Sequence, residues 1–298
     1  MVKLLHIGLG KCGSTFLQRE IFPKLEKIIN TNYINVYKNN FFKIRDFKTH
    51  LFENFKNIEN LLPNEFIISN ESLFSKNWEF SKIEENFEYI KNNFSKDTVI
   101  LIIIRNPYEL LNSIYCQSIH EMKLVNPNKF FYIDDKELNI RVNNRFNLHN
   151  FNYSKLISLY KSYFKKVVVI KYEKIQNLNF LKDIFSLDDE NIHKLKKYSN
   201  VYHNKSISKF GINFILFLNK FFDVEKTQKF VEKLINPSDP KKNIIFKIRK
   251  KILNLFYLRV FFQLLFDRIV PYKKYYINRK FIPIDIEKHI SEYDKLNF

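Results

Sequence analysis

Four short apolar runs constrain this chain more than any other feature: "KLLHIGL" (3–9), "FIIS" (66–69), "TVILIIIR" (98–105) and "VVVIKY" (167–172). They are rich in β-branched residues and do not alternate with polar ones. Each therefore predicts a strand covered on both faces, as in a parallel sheet. Parallel neighbours need crossover connections, and the segments between the runs have helical spacing. Phe16, Leu17, Ile21 and Leu25 would form one apolar stripe, and Leu110, Leu111, Ile114 and Tyr115 another. Strand and helix in this alternation predict an α/β fold: a parallel β-sheet flanked by helices, with right-handed crossovers. Residues 121–165 are polar and aromatic without a clear period, and are expected to hold a helix ahead of the strand at 167.

The chain changes character further on. From about Asn213 it is helical in pattern, apolar and basic, with "NPSDPKK" (236–242) as the obvious breaker. No repeat or flexible linker separates it from what precedes. The expected organisation is an α/β core over 1–205 and a helical C-terminal part of the same domain over 206–298. With 298 residues, of which 45% are hydrophobic, a sizeable core can be buried. Two cysteines, Cys12 and Cys116, make no disulfide scaffold, and no Cys or His spacing resembles a zinc site. No apolar stretch reaches the roughly 20 residues that cross a bilayer, which points to a cytoplasmic protein. The net charge of +19 suits a polyanionic partner. Abundant Lys, Asn, Ile, Phe and Tyr are also the imprint of an A+T-rich genome, so charge by itself selects no function.

Chemistry enters with the loop that ends the first run, "GLGKCGST" (8–15). Only four glycines occur in the chain, and three of them are here. A glycine-rich turn between strand and helix exposes successive backbone N–H groups, and the helix behind it adds partial positive charge, a combination that holds phosphate or a related anion. Gly10 and Gly13 would let the backbone approach the ligand. Lys11 would supply charge, Cys12 backbone, and Ser14 and Thr15 hydroxyl donors. The third apolar run delivers a second site in "IIIRNPYELLNSIY": Arg105 at the strand end offers a planar fork, and Ser113 a hydroxyl two turns into the next helix.

The nucleotide-triphosphatase loop places its lysine after the last glycine; here it comes two residues before. The order Lys-Cys-Gly-Ser-Thr-Phe resembles instead the phosphosulfate-binding loop of sulfotransferases that use 3′-phosphoadenosine 5′-phosphosulfate. In that family an Arg-x-Pro-x-x-x-x-x-Ser element grips the 3′-phosphate, as Arg105 and Ser113 would. The family's strand ending in Tyr-Glu is similar to "VVVIKYEK" (167–174). The resemblance covers about residues 3–190 and implies a sulfotransferase fold similar to that of the phosphate-loop nucleotide triphosphatases. Tyr172 would contact the adenine, and Phe16 would stack on its other side. Relatives close the 3′-phosphate site with a basic loop near the chain end, for which "NKSISKFG" (204–211) is a loose counterpart, making Lys205 and Ser206 candidates.

The resemblance also implies the reaction: transfer of a sulfuryl group to an acceptor hydroxyl, on a carbohydrate or glycolipid, with adenosine 3′,5′-bisphosphate as product and no metal. Lys11 would neutralise the departing phosphate. An alcohol acceptor needs a base. Glu71, in "FIISNESLF" (66–74), stands where cytosolic relatives carry their catalytic histidine; His50 and His120 are the alternatives. The basic, apolar segment 243–276 would either rest on the inner face of an anionic membrane or form a pair of helices over the sheet. Two other functions compete. One is a nucleotide kinase or triphosphatase on the same strand–loop–helix core. The other is a non-enzymatic basic protein held to membrane or nucleic acid by charge; no specific nucleic acid is expected.

Overall fold

The computed structural model describes residues 2–34, 59, 62–74, 80–120, 125–134, 145–198, 208–218 and 270–296. Strands β1 (Lys3–Ile7), β2 (Tyr33–Ile34), β3 (Phe66–Asn70), β4 (Val99–Ile104) and β7 (Val167–Lys171) form an all-parallel sheet in the order β2-β3-β1-β4-β7. The protein is thus an α/β fold built on a five-stranded parallel sheet. The three central strands are sequestered on both faces: Leu4, Leu5, Ile67, Ile68, Ile100 and Ile102 are all fully buried. Each such side chain stabilises the fold by about 1.5–3 kcal/mol relative to exposure. That is why these runs are continuously apolar. The β2 strand, two residues long, and the small pair β5 (Phe131–Tyr132) and β6 (Phe146–Asn147) were not foreseen.

Helix α1, residues 14–29, follows β1 in three segments: α-helical at Ser14–Phe16, π-helical at Leu17–Ile21 and α-helical again at Phe22–Ile29. Pro23 accounts for the wide turn. It has no N–H to continue the regular ladder, and the Phe22 N–H reaches back five residues to the Leu17 carbonyl instead. The extra residue rotates the stripe, so Leu17, Ile21, Phe22 and Leu25 are fully buried while Phe16 is only half-buried. Helix α2 (Ile83–Asn93) leads into β4, helix α3 (Pro107–His120) leaves it, and α5 (Tyr153–Lys161), after the single turn α4 (Pro127–Phe130), leads into β7. Helix α5 is the one expected before residue 167. Asn106 caps α3, its side-chain oxygen accepting from the N–H groups of Tyr108 (3.1 Å) and Glu109 (3.3 Å). On α3, Leu110, Leu111, Ile114 and Tyr115 are buried as the spacing predicts.

Helices α6 (Phe180–Phe185) and α7 (Asp189–Lys196) complete the core, and α8 (Lys209–Leu218) and α9 (Ile286–Lys295) lie in the C-terminal part. That part is not helical throughout. Within the described end of segment 243–276, Lys274 forms an antiparallel bridge with Ser208. The extended stretch is fastened to α3: Asn112 donates to the Tyr275 carbonyl (2.8 Å) and accepts from the Ile277 N–H (2.9 Å), and the Tyr108 hydroxyl donates to the Ile277 carbonyl (2.6 Å). Apolar aromatic content there serves packing, with Tyr115 and Tyr275 rings 5.8 Å apart. Among the described residues, no helix is long and apolar enough to cross a membrane.

The strand order has a consequence for ligands. The chain leaves β1 towards β3 and β2 but leaves β4 towards β7, so the connections part on either side of the β1–β4 pair. In open parallel sheets the crevice at the carboxyl ends of such strands is where ligands bind. Register carries the same groups to that edge: Ile7 pairs with both Asn70 and Ile102, and Ile104 pairs with Lys171. Gly8, Glu71, Arg105 and Tyr172 are the residues at which the four strands run out.

Candidate anion-binding site

The loop after β1 turns through two left-handed residues, Lys11 (φ 68°) and Gly13 (φ 87°). Glycine takes this conformation without penalty, whereas a lysine pays for it, and strain of that kind concentrates at functional loops. Between them Cys12 is fully buried and its N–H donates to the Leu9 carbonyl (3.2 Å), which anchors the loop and turns Lys11 outward. Burial pushes the Cys12 thiol well above its usual range, against the opposing charge of Arg105. Cys116 is likewise free and buried.

Helix α1 starts at Gly13, whose carbonyl accepts from the N–H groups of Phe16 (3.0 Å) and Leu17 (3.3 Å). No side chain caps this start. The first N–H groups of a helix lack intrahelical acceptors, so they face the loop as donors. Ser14 is buried, and its hydroxyl has no hydrogen-bond partner among the described residues. A buried hydroxyl without a partner costs free energy unless something fills the place. Close approach is required around the loop's first glycine: a Cβ on Gly8 would lie 2.7 Å from Ser14 Oγ, 3.3 Å from Glu71 Cγ and 3.5 Å from His6 Cε1. Glu71, first residue of a 3₁₀ turn after β3, is thereby fixed beside the loop.

Arg105 meets this loop directly. Its Nη1 donates to the Lys11 carbonyl at 3.1 Å, and its guanidinium lies 4.6 Å over the ring of Tyr172. Tyr172 in turn packs against Gly13, its Cε2 3.2 Å from where a Cβ would stand. The Tyr153 hydroxyl donates to the Arg105 carbonyl (2.8 Å), and Arg105 pairs with Glu109 one turn on (3.4 Å). Glu109 also binds Lys274 from the extended C-terminal stretch. Burial opposes the Lys274 charge, but the hydrogen bond and charge of Glu109 outweigh it and its pKa is raised. Lys11 Nζ donates to Gln117 Oε1 at 2.7 Å. Ser113 lies half-buried on α3 between Glu109 and Gln117.

The structure therefore brings together Gly10, Lys11, Cys12, Gly13, Ser14, Arg105 and Tyr172, with Glu71 beside them. Thr15 and Phe16 are half-buried in the first turn of α1. His50, Lys205, Ser206 and the His120 side chain lie outside the described residues. Sequence reading missed Glu109, Gln117 and Lys274. The first two stand four residues either side of Ser113, a spacing that puts all three on one helix face; Lys274 left no local signal.

A second polar group sits under the loop. His6, fully buried on β1, has Nδ1 2.7 Å from Ser69 Oγ, which also accepts from Gln18 Nε2 (3.1 Å). Burial pushes the His6 pKa down to about 3. Among the described residues no group of three or more His, Cys, Asp or Glu side chains is placed to hold a metal ion. No protein-family model and no curated protein matches the chain.

Proposed function

We propose that the protein is a sulfotransferase that moves a sulfuryl group from 3′-phosphoadenosine 5′-phosphosulfate to an acceptor hydroxyl. The observation that carries this reading is the contact between Arg105 and the Lys11 carbonyl, 3.1 Å. The two elements read as anion-binding, 94 residues apart in the chain, meet where β1 and β4 end, as a ligand charged at both ends would require. The uncapped N–H groups of α1 and the unpartnered Ser14 hydroxyl would take the 5′-phosphosulfate. Arg105, Ser113 and Lys274 would take the 3′-phosphate, with Lys274 in the part left to the basic C-terminal loop of relatives. Tyr172 already carries Arg105 on its ring, so here it orients the guanidinium as well as lining the adenine side.

In the transfer step the bond between sulfur and the bridging oxygen breaks while a bond from the acceptor oxygen to sulfur forms. Lys11 would neutralise charge on the departing phosphate, and Glu71 would accept the hydroxyl proton. Fixed cations and dipoles supply most of such catalysis. The acceptor is proposed as a hydroxyl on a carbohydrate or glycolipid on the strength of the family resemblance, with membrane contact through the basic segment 243–276 as part of the same proposal.

One observation favours a nucleotide triphosphatase instead. Glu71 Cγ and Ser14 Oγ both crowd Gly8, and a hydroxyl beside a carboxylate at a phosphate loop is the arrangement that holds Mg²⁺ with ATP. A thermal-shift comparison decides between them. Stabilisation by adenosine 3′,5′-bisphosphate without Mg²⁺, exceeding that by ATP, supports the sulfotransferase. Ligand at 100 times its Kd should raise stability by about 2.7 kcal/mol. A shift with ATP that requires Mg²⁺, and none with the bisphosphate, overturns it.

A further inference from the structure

Two of the three groups read as holders of the 3′-phosphate already share an anion. The Glu109 carboxylate puts a single oxygen, Oε2, against both Arg105 Nη2 (3.4 Å) and the ammonium of Lys274. Ser113 stands one turn further along the same half-buried face of α3. An acid in the first turn of a helix is common, because the macrodipole favours it. That preference does not bring cations to it, and these two come from the end of β4 and from a stretch 165 residues beyond Glu109.

We infer that Glu109 is an internal stand-in for the ligand's anion: its carboxylate oxygen holds the place of a phosphate oxygen between Arg105 and Lys274 and yields it when a tetrahedral dianion binds. This rests on the reading of Arg105, Ser113 and Lys274 as the holders of the 3′-phosphate. Neither cation depends on Glu109 alone for its place. Arg105 is held by the Lys11 carbonyl (3.1 Å) and the Tyr172 ring, and Lys274 by its backbone bridge to Ser208 and by the Tyr276 ring, whose centroid is 4.9 Å from Nζ. The 3.4 Å contact is long for a charge-assisted bond, which ordinarily spans about 2.7–2.9 Å. The Glu109 side chain, 26% exposed, has solvent to turn into. Displacing it costs every incoming anion the same amount. A lone anion then gains little from the exchange, whereas a ligand anchored at a second point, by the loop after β1, gains enough to occupy the site. Glu109 thus selects a doubly anchored phosphate ligand over free anions.

Inorganic sulfate, a tetrahedral dianion that carbodiimides leave unmodified, is the probe. In thermal-shift titrations at constant ionic strength, Glu109→Gln should bind it about tenfold more tightly than wild type, since a neutral amide competes less well for two cations. Glu190→Gln makes the same change in net charge on α7 and should stay within about twofold of wild type. On the unaltered chain, Glu109 is coupled to glycine ethyl ester by a carbodiimide and read by mass spectrometry, with Glu190 as internal reference. That labelling should rise several-fold at saturating sulfate, as the carboxylate is released. Weaker or unchanged sulfate binding in Glu109→Gln, or an equal gain in Glu190→Gln, overturns the inference. So does labelling of Glu109 that falls or stays level as sulfate is added. If both sulfate results hold but adenosine 3′,5′-bisphosphate gives no thermal shift, the sulfotransferase reading fails and the exchange at Glu109 stands.

Discussion

Arg105 is hydrogen-bonded to the backbone of the loop it would share a ligand with: its Nη1 donates to the Lys11 carbonyl at 3.1 Å. The same guanidinium lies on Tyr172 and against Glu109, so one side chain ties the ends of β1, β4 and β7 together. An arginine held from three sides presents its remaining donors in a fixed direction. Binding an anion then costs little reorganisation, which is what preorganisation contributes to affinity.

Arg105→Ala should weaken binding of adenosine 3′,5′-bisphosphate by about 2 to 4 kcal/mol, or roughly 30- to 1000-fold in Kd by calorimetry. Arg105→Lys should recover only part of this, because an ammonium lacks the planar fork that reaches the Lys11 carbonyl and a phosphate together. Affinity equal to wild type in both variants would show that no phosphate sits at Arg105.

Lys274→Ala tests whether the C-terminal stretch belongs to the site. Glu109 is shared between Lys274 and Arg105, so loss of the lysine leaves the carboxylate to Arg105 alone. Affinity for the bisphosphate should fall about tenfold, and the fall should shrink as salt is raised. An unchanged Kd at low salt removes Lys274 from the binding reading and leaves it a fastening of the C-terminal stretch.

The sheet was legible because its central strands β1, β3 and β4 are buried on both faces, which leaves continuous apolar runs such as "VILIII", while the edge strand β7 is half-buried but rich in β-branched residues. Tyr33–Ile34, Phe131–Tyr132 and Phe146–Asn147 are too short for any period to register. Around the loop, Lys11, Gly13 and Ser14 stand out because a phosphate cradle needs small residues, a cation and hydroxyls in immediate succession. Gln117 and Lys274 escape that logic. They reach the site through pairings 106 and 165 residues long, set by the packing of α3 and of the stretch fastened to it. The extended run around Lys274 hid its strand-like character because the adjacent aromatic residues Tyr275 and Tyr276, one buried and one exposed, erase any alternation of apolar and polar residues.

Gly13→Ala should destabilise the chain by about 2 to 4 kcal/mol, from left-handed strain plus overpacking. A Cβ there would stand 2.8 Å from Ile175 Cδ1, with φ at 87°. The Lys11 position gives the converse result. Lys11→Gly should be about 1 kcal/mol more stable than Lys11→Ala in urea melts, since only glycine adopts its φ of 68° freely. Both Lys11 variants should lose turnover, so activity and stability would part company at one residue.

His6 should make stability fall with acid. Its folded pKa is about 3 and the unfolded value about 6.5, so the unfolded chain binds the extra proton between those limits. Stability is complete above pH 6.5 and declines by about 1.4 kcal/mol per pH unit below it, with the decline ending near the folded pKa. His289, also lowered, chiefly by burial, acts in the same sense. Urea midpoints from pH 7 to 5 should slope less steeply in His6→Gln. An identical slope would mean that His6 is open to solvent rather than sealed beneath Gly8.

Glu71→Gln bears on the chemistry itself. The substitution keeps shape and leaves the approach to Gly8 undisturbed, so affinity for adenosine 3′,5′-bisphosphate should stay within about threefold of wild type, while turnover falls by roughly 10²- to 10⁴-fold. The acidic limb of the rate profile should vanish with it, because that limb reports protonation of the base. The magnesium alternative gives the opposite division: Glu71→Gln would then abolish Mg²⁺-dependent ATP binding. Retained product affinity with lost turnover makes Glu71 the base, whereas retained turnover moves that role to a side chain such as His50 or His120. The geometry favours Glu71, since its Cγ lies 3.3 Å from the Cβ position of the glycine that also touches Ser14. On the sulfotransferase proposal a base for the acceptor would have to stand beside the loop, and Glu71 is a carboxylate that β3 brings there.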